Sequence, residues 1–124
     1  MADYYEAISK GLLHNTKKVL QEQFDLISVP GVFEIPVTIA KNIKKYDGFI
    51  ALGCVIKGET PHFDLISKAA IDGIMKLSIE YKKPIGNGII TCLNLKQAIA
   101  REKKGQEAAA ALLSVLNPVK VSAE

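Results

Sequence analysis

The spacing of apolar residues changes several times along the chain, and each change marks an element. From about Tyr5 to Gln21, Ile8, Leu12, Val19 and Leu20 recur among lysines and glutamates at the spacing of an amphipathic helix. Leu26 to Val29 is short, apolar and partly β-branched, bounded by Asp25 and Pro30, and predicts a strand. Beyond the Pro30-Gly31 turn, Ile35, Ile39 and Ile43 stand four apart and predict a second helix to about Lys45. Pro36 fits its first turn, where an amide has no intrahelical acceptor. Phe49 to Ile56 is a continuous apolar run, the pattern of a parallel strand covered on both faces. Lys57 to Pro61 breaks that run, with Thr60 suited to cap a helix and Pro61 to begin one. A third helix follows on the stripe Ile66, Ala70, Ile74 and Leu77, ending near Tyr81. Ile85 to Leu93 predicts the third strand, in which Gly86-Asn87-Gly88 signals close backbone approach by a ligand or a neighbour. Lys96 to Leu116 is helical again, with Gly105 dividing two shorter helices.

This alternation predicts an α/β fold in three α-β-α layers around an open parallel sheet, formed by one domain over residues 1–124. A chain that opens on a helix leaves that helix without the strand that normally precedes it, so the first strand is expected to be absent. At 48% hydrophobic and 23% charged residues, a chain of this length buries roughly two-thirds of its unfolded surface, which needs no disulfide or structural metal. The net charge of +3 is scattered without a basic run, which argues against a nucleic-acid partner. Cys54 and Cys92 lie inside apolar runs, read as small buried hydrophobes, and fit a reducing cytosol. No basic and apolar leader opens the chain and no apolar stretch reaches eighteen residues, so neither secretion nor membrane spanning is expected.

Ligands of open parallel sheets bind beyond the carboxyl ends of the strands, which directs attention to the loops 30–34, 56–62 and 91–96. Gly58-Glu59-Thr60-Pro61-His62 delivers a hydroxyl and free amides to a helix start, a phosphate or carboxylate site or simply a competent cap. His62, in that helix's first turn, is a candidate proton-transfer group. His14 sits in a helix with no polar constellation and reads as surface. Glu34, at the start of the second helix, either caps it or binds sugar hydroxyls. Arg101 is the only arginine beside fifteen lysines, and its planar fork suits phosphate. Lys104 would share its helix face if the helix continues, either as a second anion contact or as part of a solvated face. Metal-ligand spacings, Walker loops, dinucleotide fingerprints and nucleophile elbows are absent, which leaves cofactor-free acid–base chemistry.

Val29-Pro-Gly-Val-Phe-Glu-Ile-Pro36 and Ala51-Leu-Gly-Cys-Val-Ile-Lys-Gly-Glu-Thr-Pro-His-Phe-Asp64 resemble the signature stretches of the lumazine synthases of riboflavin biosynthesis. The resemblance continues through Asn87 to Thr91, Asn94 to Arg101 and Lys104-Gly105. It implies a flavodoxin-like strand order and a cofactor-free condensation of 5-amino-6-ribitylaminouracil with 3,4-dihydroxy-2-butanone 4-phosphate. It further implies His62 as the proton shuttle, and Val32, Phe33, Glu34, Cys54, Val55, Ile56 and Asn87 around the ribityl chain and pyrimidine. Tyr4 or Tyr5 would supply a stacking ring, and Gly58, Glu59, Thr60, Arg101 and Lys104 would surround the phosphate. The family places its sites between subunits of a cytoplasmic pentamer or its multiples. Lys57 replaces a common arginine, Asn87 replaces an aromatic of some relatives, and the loop between Arg101 and Lys104 is short. Two other readings compete: an archaeal-type riboflavin synthase, which has no phosphorylated substrate, and an inactive truncated scaffold that binds lumazine or flavin.

Overall fold

The computed structural model describes residues 1–117 apart from Glu22 and Thr60. Five helices and two strands follow one another as α1 (Glu6–Val19), a 3-10 turn (Val32–Glu34), α2 (Ile35–Lys41), β1 (Phe49–Ile56), α3 (His62–Tyr81), β2 (Ile85–Cys92), α4 (Leu95–Ala100) and α5 (Lys104–Leu116). β1 and β2 pair in parallel, with Phe49 opposite Ile85 and Ile56 opposite Cys92.

Because side chains alternate across a strand, each strand feeds two cores. Leu52 and Cys54 of β1 meet Ile90 and Cys92 of β2 beneath Ile8 and Leu12 of α1 and Ala98 of α4. On the opposite face, Ala51 and Ile89 pack with Ile35 and Ile39 of α2 and Ala70 and Ile74 of α3. The continuous apolar run of β1 thus has the predicted cause, since both faces are covered, and the three layers are present. Helix α5 lies on the α1 side, where Gly86 of β2 meets the backbone of Ala108 so closely that a methyl group could not be inserted. The neighbour announced by Gly86-Asn87-Gly88 is therefore a helix of the same chain.

The expected strand at Leu26 to Val29 does not form. Only Val29 makes a bridge, parallel to Ala2, and residues 26–28 are exposed. Ala2 donates to the Leu52 carbonyl at 2.8 Å, Asp3 to Val29 at 2.9 Å, and Val29 to Met1 at 2.8 Å. Val29, Ala2, β1 and β2 thus succeed one another in the flavodoxin-like order, with the first strand position held by residues 1–3. Val29 makes one bridge and no ladder, and an unladdered segment does not persist as a strand. A cavity of about 360 Å³ lies between residues 24–29 and the amino half of β1, walled by Leu13 of α1 with Leu20 just after it and by Ile39 of α2 with Asn42 just after it.

Two helix boundaries also differ from expectation. α2 ends at Lys41 and gives way to turns through residue 45. The break between the last two helices falls at residues 101–103, so Gly105 lies inside α5, pressed against Leu12 and Thr16 of α1. Its lack of a side chain serves helix packing there, and helix termination falls to the preceding turns.

Candidate active site at the carboxyl edge of the sheet

Five segments end on the edge where β1 and β2 finish. β1 is buried from Ala51 to Cys54 and half-buried at Val55 and Ile56 as it leaves the core, and Lys57, Gly58 and Glu59 beyond it are exposed. The Lys57 amide donates to the Cys92 carbonyl at 2.8 Å, which holds the ends of the two strands together for one further residue. Nothing lies within 4 Å of where a Cβ on Gly58 would stand, so the loop after β1 runs in open space. Thr60 falls outside the described residues. Pro61 caps α3, and His62 is its first residue, exposed. This helix is 20 residues long and turns the positive end of its dipole toward this edge, a polarity that favours an anion.

Beside β1 lies the 3-10 turn. Val32 is buried and its Cγ2 comes within 2.7 Å of where a Cβ on Gly53 would stand, so the missing side chain of Gly53 is the seat for Val32. With Val32 turned in, Phe33 turns out and is 61% exposed. Glu34 is half-buried, its carbonyl accepts from Thr38 Oγ1 at 2.8 Å, and its carboxylate lies beside Gly31. No side-chain cap bond ties that carboxylate to α2, which leaves it available for a ligand. Glu34 does stand at the N-cap position of α2, the place expected of a cap, although without a side-chain cap bond.

Tyr4 follows the Ala2 bridge onto the same edge and is 76% exposed, its ring meeting Tyr5 edge-on at a centroid distance of 4.9 Å. Tyr5 packs against the α1-side core, and burial pushes its phenol above the usual range. Of the two rings Tyr4 is the one presented outward. Cys54 is buried, and desolvation first, with the neighbouring Cys92 adding to it, pushes its thiol up to about 12. A thiol held protonated in this way packs and shapes the site and does not act as a nucleophile.

Arg101 ends α4 and folds its guanidinium back over that helix, donating from Nη1 to the Thr91 carbonyl at 2.8 Å. Thr91 stands opposite Val55, so the arginine sits near the carboxyl end of the sheet, on the side of β2 away from β1, because the carbonyl turned toward β1 is that of Cys92. Lys104 opens α5 after the turns of residues 101–103, its amide bonded to the Arg101 carbonyl at 3.0 Å. The two cations therefore belong to different helices and do not share a helix face as a continuous helix would require. Lys104 is paired with Glu107 at 3.8 Å. Asn87 is set apart from the others. It pairs with Ala51, four residues before Thr91 on β2, or roughly 13 Å at the rise of a strand. Its Oδ1 accepts from the Ile89 amide at 3.0 Å.

Two residues that sequence reasoning passed over order this edge. Asn94 caps α4 by accepting the Gln97 amide at 2.9 Å, and Gln97 Oε1 accepts the Leu93 amide at 2.8 Å. The cap-x-x-Gln spacing before an apolar stretch was their signal. Among the described residues no group of three or more His, Cys, Asp or Glu is placed to hold a metal ion, and no helix is long and apolar enough to cross a membrane.

An open parallel sheet with an acid, an imidazole and an anchored guanidinium on the turns and helix ends at its carboxyl edge is the architecture of an α/β enzyme acting on small molecules. The sequence profile of the 6,7-dimethyl-8-ribityllumazine synthases matches residues 1–120. A 6,7-dimethyl-8-ribityllumazine synthase from Bartonella bacilliformis is 44% identical over 113 residues, covering 86% of this chain and 74% of its own. That from Agrobacterium fabrum is 41% identical over 130 residues, covering 93% and 88%. The chain belongs to the lumazine synthase family, transferases of riboflavin biosynthesis.

Proposed function

We propose that this chain, acting as one domain, condenses 5-amino-6-ribitylaminouracil with 3,4-dihydroxy-2-butanone 4-phosphate to 6,7-dimethyl-8-ribityllumazine, the penultimate step of riboflavin biosynthesis. The observation that carries the reading is the Arg101 guanidinium held on the Thr91 carbonyl near the end of β2, on the same carboxyl edge of the sheet as the Lys57-Gly58-Glu59 segment that follows β1. A fork fixed by one nitrogen keeps its remaining donors for phosphate oxygens, and the α3 start adds amides of the right polarity. Gly58, Glu59, Thr60 and Lys104 complete this phosphate site in the proposal. Glu34 accepts hydrogen bonds from ribityl hydroxyls, while Val32, Phe33, Cys54, Val55, Ile56 and the outward ring of Tyr4 shape the pyrimidine side.

In the proposed sequence of steps the amine attacks the ketone and water leaves to form an imine. Phosphate is then eliminated, and ring closure expels water again. Each step moves a proton between nitrogen, carbon and oxygen, and His62 at the head of α3 is the side chain assigned to carry it. No cofactor is required by this chemistry. We assign the active form to a cytoplasmic homo-oligomer, a pentamer or its multiples, with sites shared between copies. Support comes from the large apolar side chains left exposed, among them Phe33, Leu65, Met75, Ile79, Leu95 and Ile99. A shared site also accounts for Asn87, which lies too far down β2 to join its own chain's edge.

The test is a steady-state assay with both substrates, following lumazine absorbance, with the native mass recorded on the same sample. The expected result is turnover in a particle of five copies or a multiple. Riboflavin formation from lumazine alone, or binding of lumazine without turnover, would overturn the assignment. His62→Ala is expected to slow turnover by roughly 10²-fold or more, within the range of general acid–base catalysis. An unchanged kcat removes His62 from the mechanism.

A further inference from the structure

We infer that Asn94 and Gln97 are positioning residues that set the phosphate contact of Arg101. The inference rests on the proposed role of Arg101. Arg101 lies at the carboxyl end of a helix of only six residues, and its guanidinium returns to Thr91, ahead of that helix's start. Where the fork lies is therefore decided by the angle at which α4 leaves β2. Three side-chain bonds set that angle within eleven residues. Asn94 Oδ1 accepts the Gln97 amide, Gln97 Oε1 reaches back to the Leu93 amide, and Arg101 closes the loop on Thr91.

A helix this short has little stability of its own, so its direction depends on its cap and on its packing. The packing contact is a single buried side chain of α4, Ala98, against the α1-side core. An alanine can slide or rotate within such a contact, and the cap cannot. The Leu93 amide, on the side of β2 away from β1, bonds Gln97 directly after β2 stops at Cys92, so the same pair joins the end of the strand to the arginine-bearing helix. Neither Asn94 nor Gln97 has to touch substrate for this.

The test measures both KM values and kcat for Asn94→Ala, Gln97→Ala, Arg101→Ala and the Asn94→Ala/Arg101→Ala double variant of the 124-residue protein in its native assembly. Asn94→Ala and Gln97→Ala are each expected to raise KM for the butanone phosphate on the order of three- to tenfold, the range that losing a helix cap supplies, with kcat near the parent value. KM for the pyrimidine should not move. Asn94→Ser, which still caps, and Gln97→Glu, which still accepts, should restore the parent KM. In the double variant the Asn94 substitution should add nothing to the loss caused by Arg101→Ala. Unchanged KM in the single alanine variants, equal losses for both substrates, or losses that multiply in the double variant would each overturn the inference. If Asn94→Ala does not fold, Gln97→Met, which keeps the volume and loses the acceptor, carries the same expectation. An inactive parent enzyme defeats the functional reading itself, whereas an active parent with an impaired Arg101→Ala and unaffected cap variants defeats only this inference.

Discussion

Replacing Gly105 with alanine tests how the molecule is held together, because the direction of the effect is at stake. In an exposed helix interior, glycine to alanine stabilises by about 1 kcal/mol. At Gly105 the added methyl would stand 2.7 Å from Thr16 Oγ1, 3.0 Å from the Thr16 backbone nitrogen and closer still to the Leu12 carbonyl. Ordinary contact begins at 3.4 Å, and two of these three obstacles are backbone, so α5 must move off α1 by well over half an ångström. That movement stretches Thr16 Oγ1 to Gly105 carbonyl, at 3.2 Å, and Gln106 Nε2 to Asn15 Oδ1, at 3.3 Å. Overpacking of this kind costs about 1–3 kcal/mol and the weakened hydrogen bonds about 1 more, against the propensity gain of about 1. The net expectation is a loss of about 1–3 kcal/mol, or roughly 4 °C in Tm for each kcal/mol at this chain length. Gly11→Ala is the control. The nearest atoms its methyl would meet are the carboxyl end of the Glu102 side chain, which can swing aside, so stability should hold or rise slightly. Urea unfolding followed by circular dichroism, at one protein concentration so that assembly is held constant, measures both variants. A Gly105→Ala protein as stable as the parent would refute the packing argument.

The cysteines and the turn beside β1 give further expectations. With its thiol pushed up to about 12, Cys54 should be alkylated at pH 8 roughly 10³-fold more slowly in the folded protein than in urea, as peptide mass spectrometry would show, and equal rates would contradict its burial. The folded thiol holds its proton above the ordinary value of 9.0, so its contribution to stability is complete below pH 9 and is lost as pH rises toward 12. Cys54→Ala should flatten that alkaline limb in unfolding curves recorded across pH. Gly53→Ala should push Val32 off β1 and shift Phe33 and Glu34, raising KM for the pyrimidine substrate several-fold while the butanone phosphate KM stays near the parent value, because the 2.7 Å approach of Val32 leaves no room for a methyl.

The periodicity of the chain by itself determined the helices α1 and α3, the strands β1 and β2, and their parallel, two-faced burial, because an apolar run or stripe has to be covered wherever it lies. The family was legible by a separate route, the resemblance of Val29 to Pro36 and Ala51 to Asp64 to lumazine synthase signatures, because these are local strings whose residue types can be matched without knowledge of their neighbours. Other features were settled between segments. Leu26 to Val29 looks like a strand, yet a strand exists only with a ladder beside it, and residues 1–3 supply one bridge. Gly105 looks like a helix break, yet it is the contact through which α5 rests on α1, and no local pattern separates those uses of glycine. Asn94 and Gln97 were legible as a cap, but their bearing on Arg101 came only from the return of the guanidinium to Thr91 across ten residues. Local propensity is written residue by residue. The placement of a turn, a glycine or a lone arginine is decided by whichever distant backbone comes to lie against it.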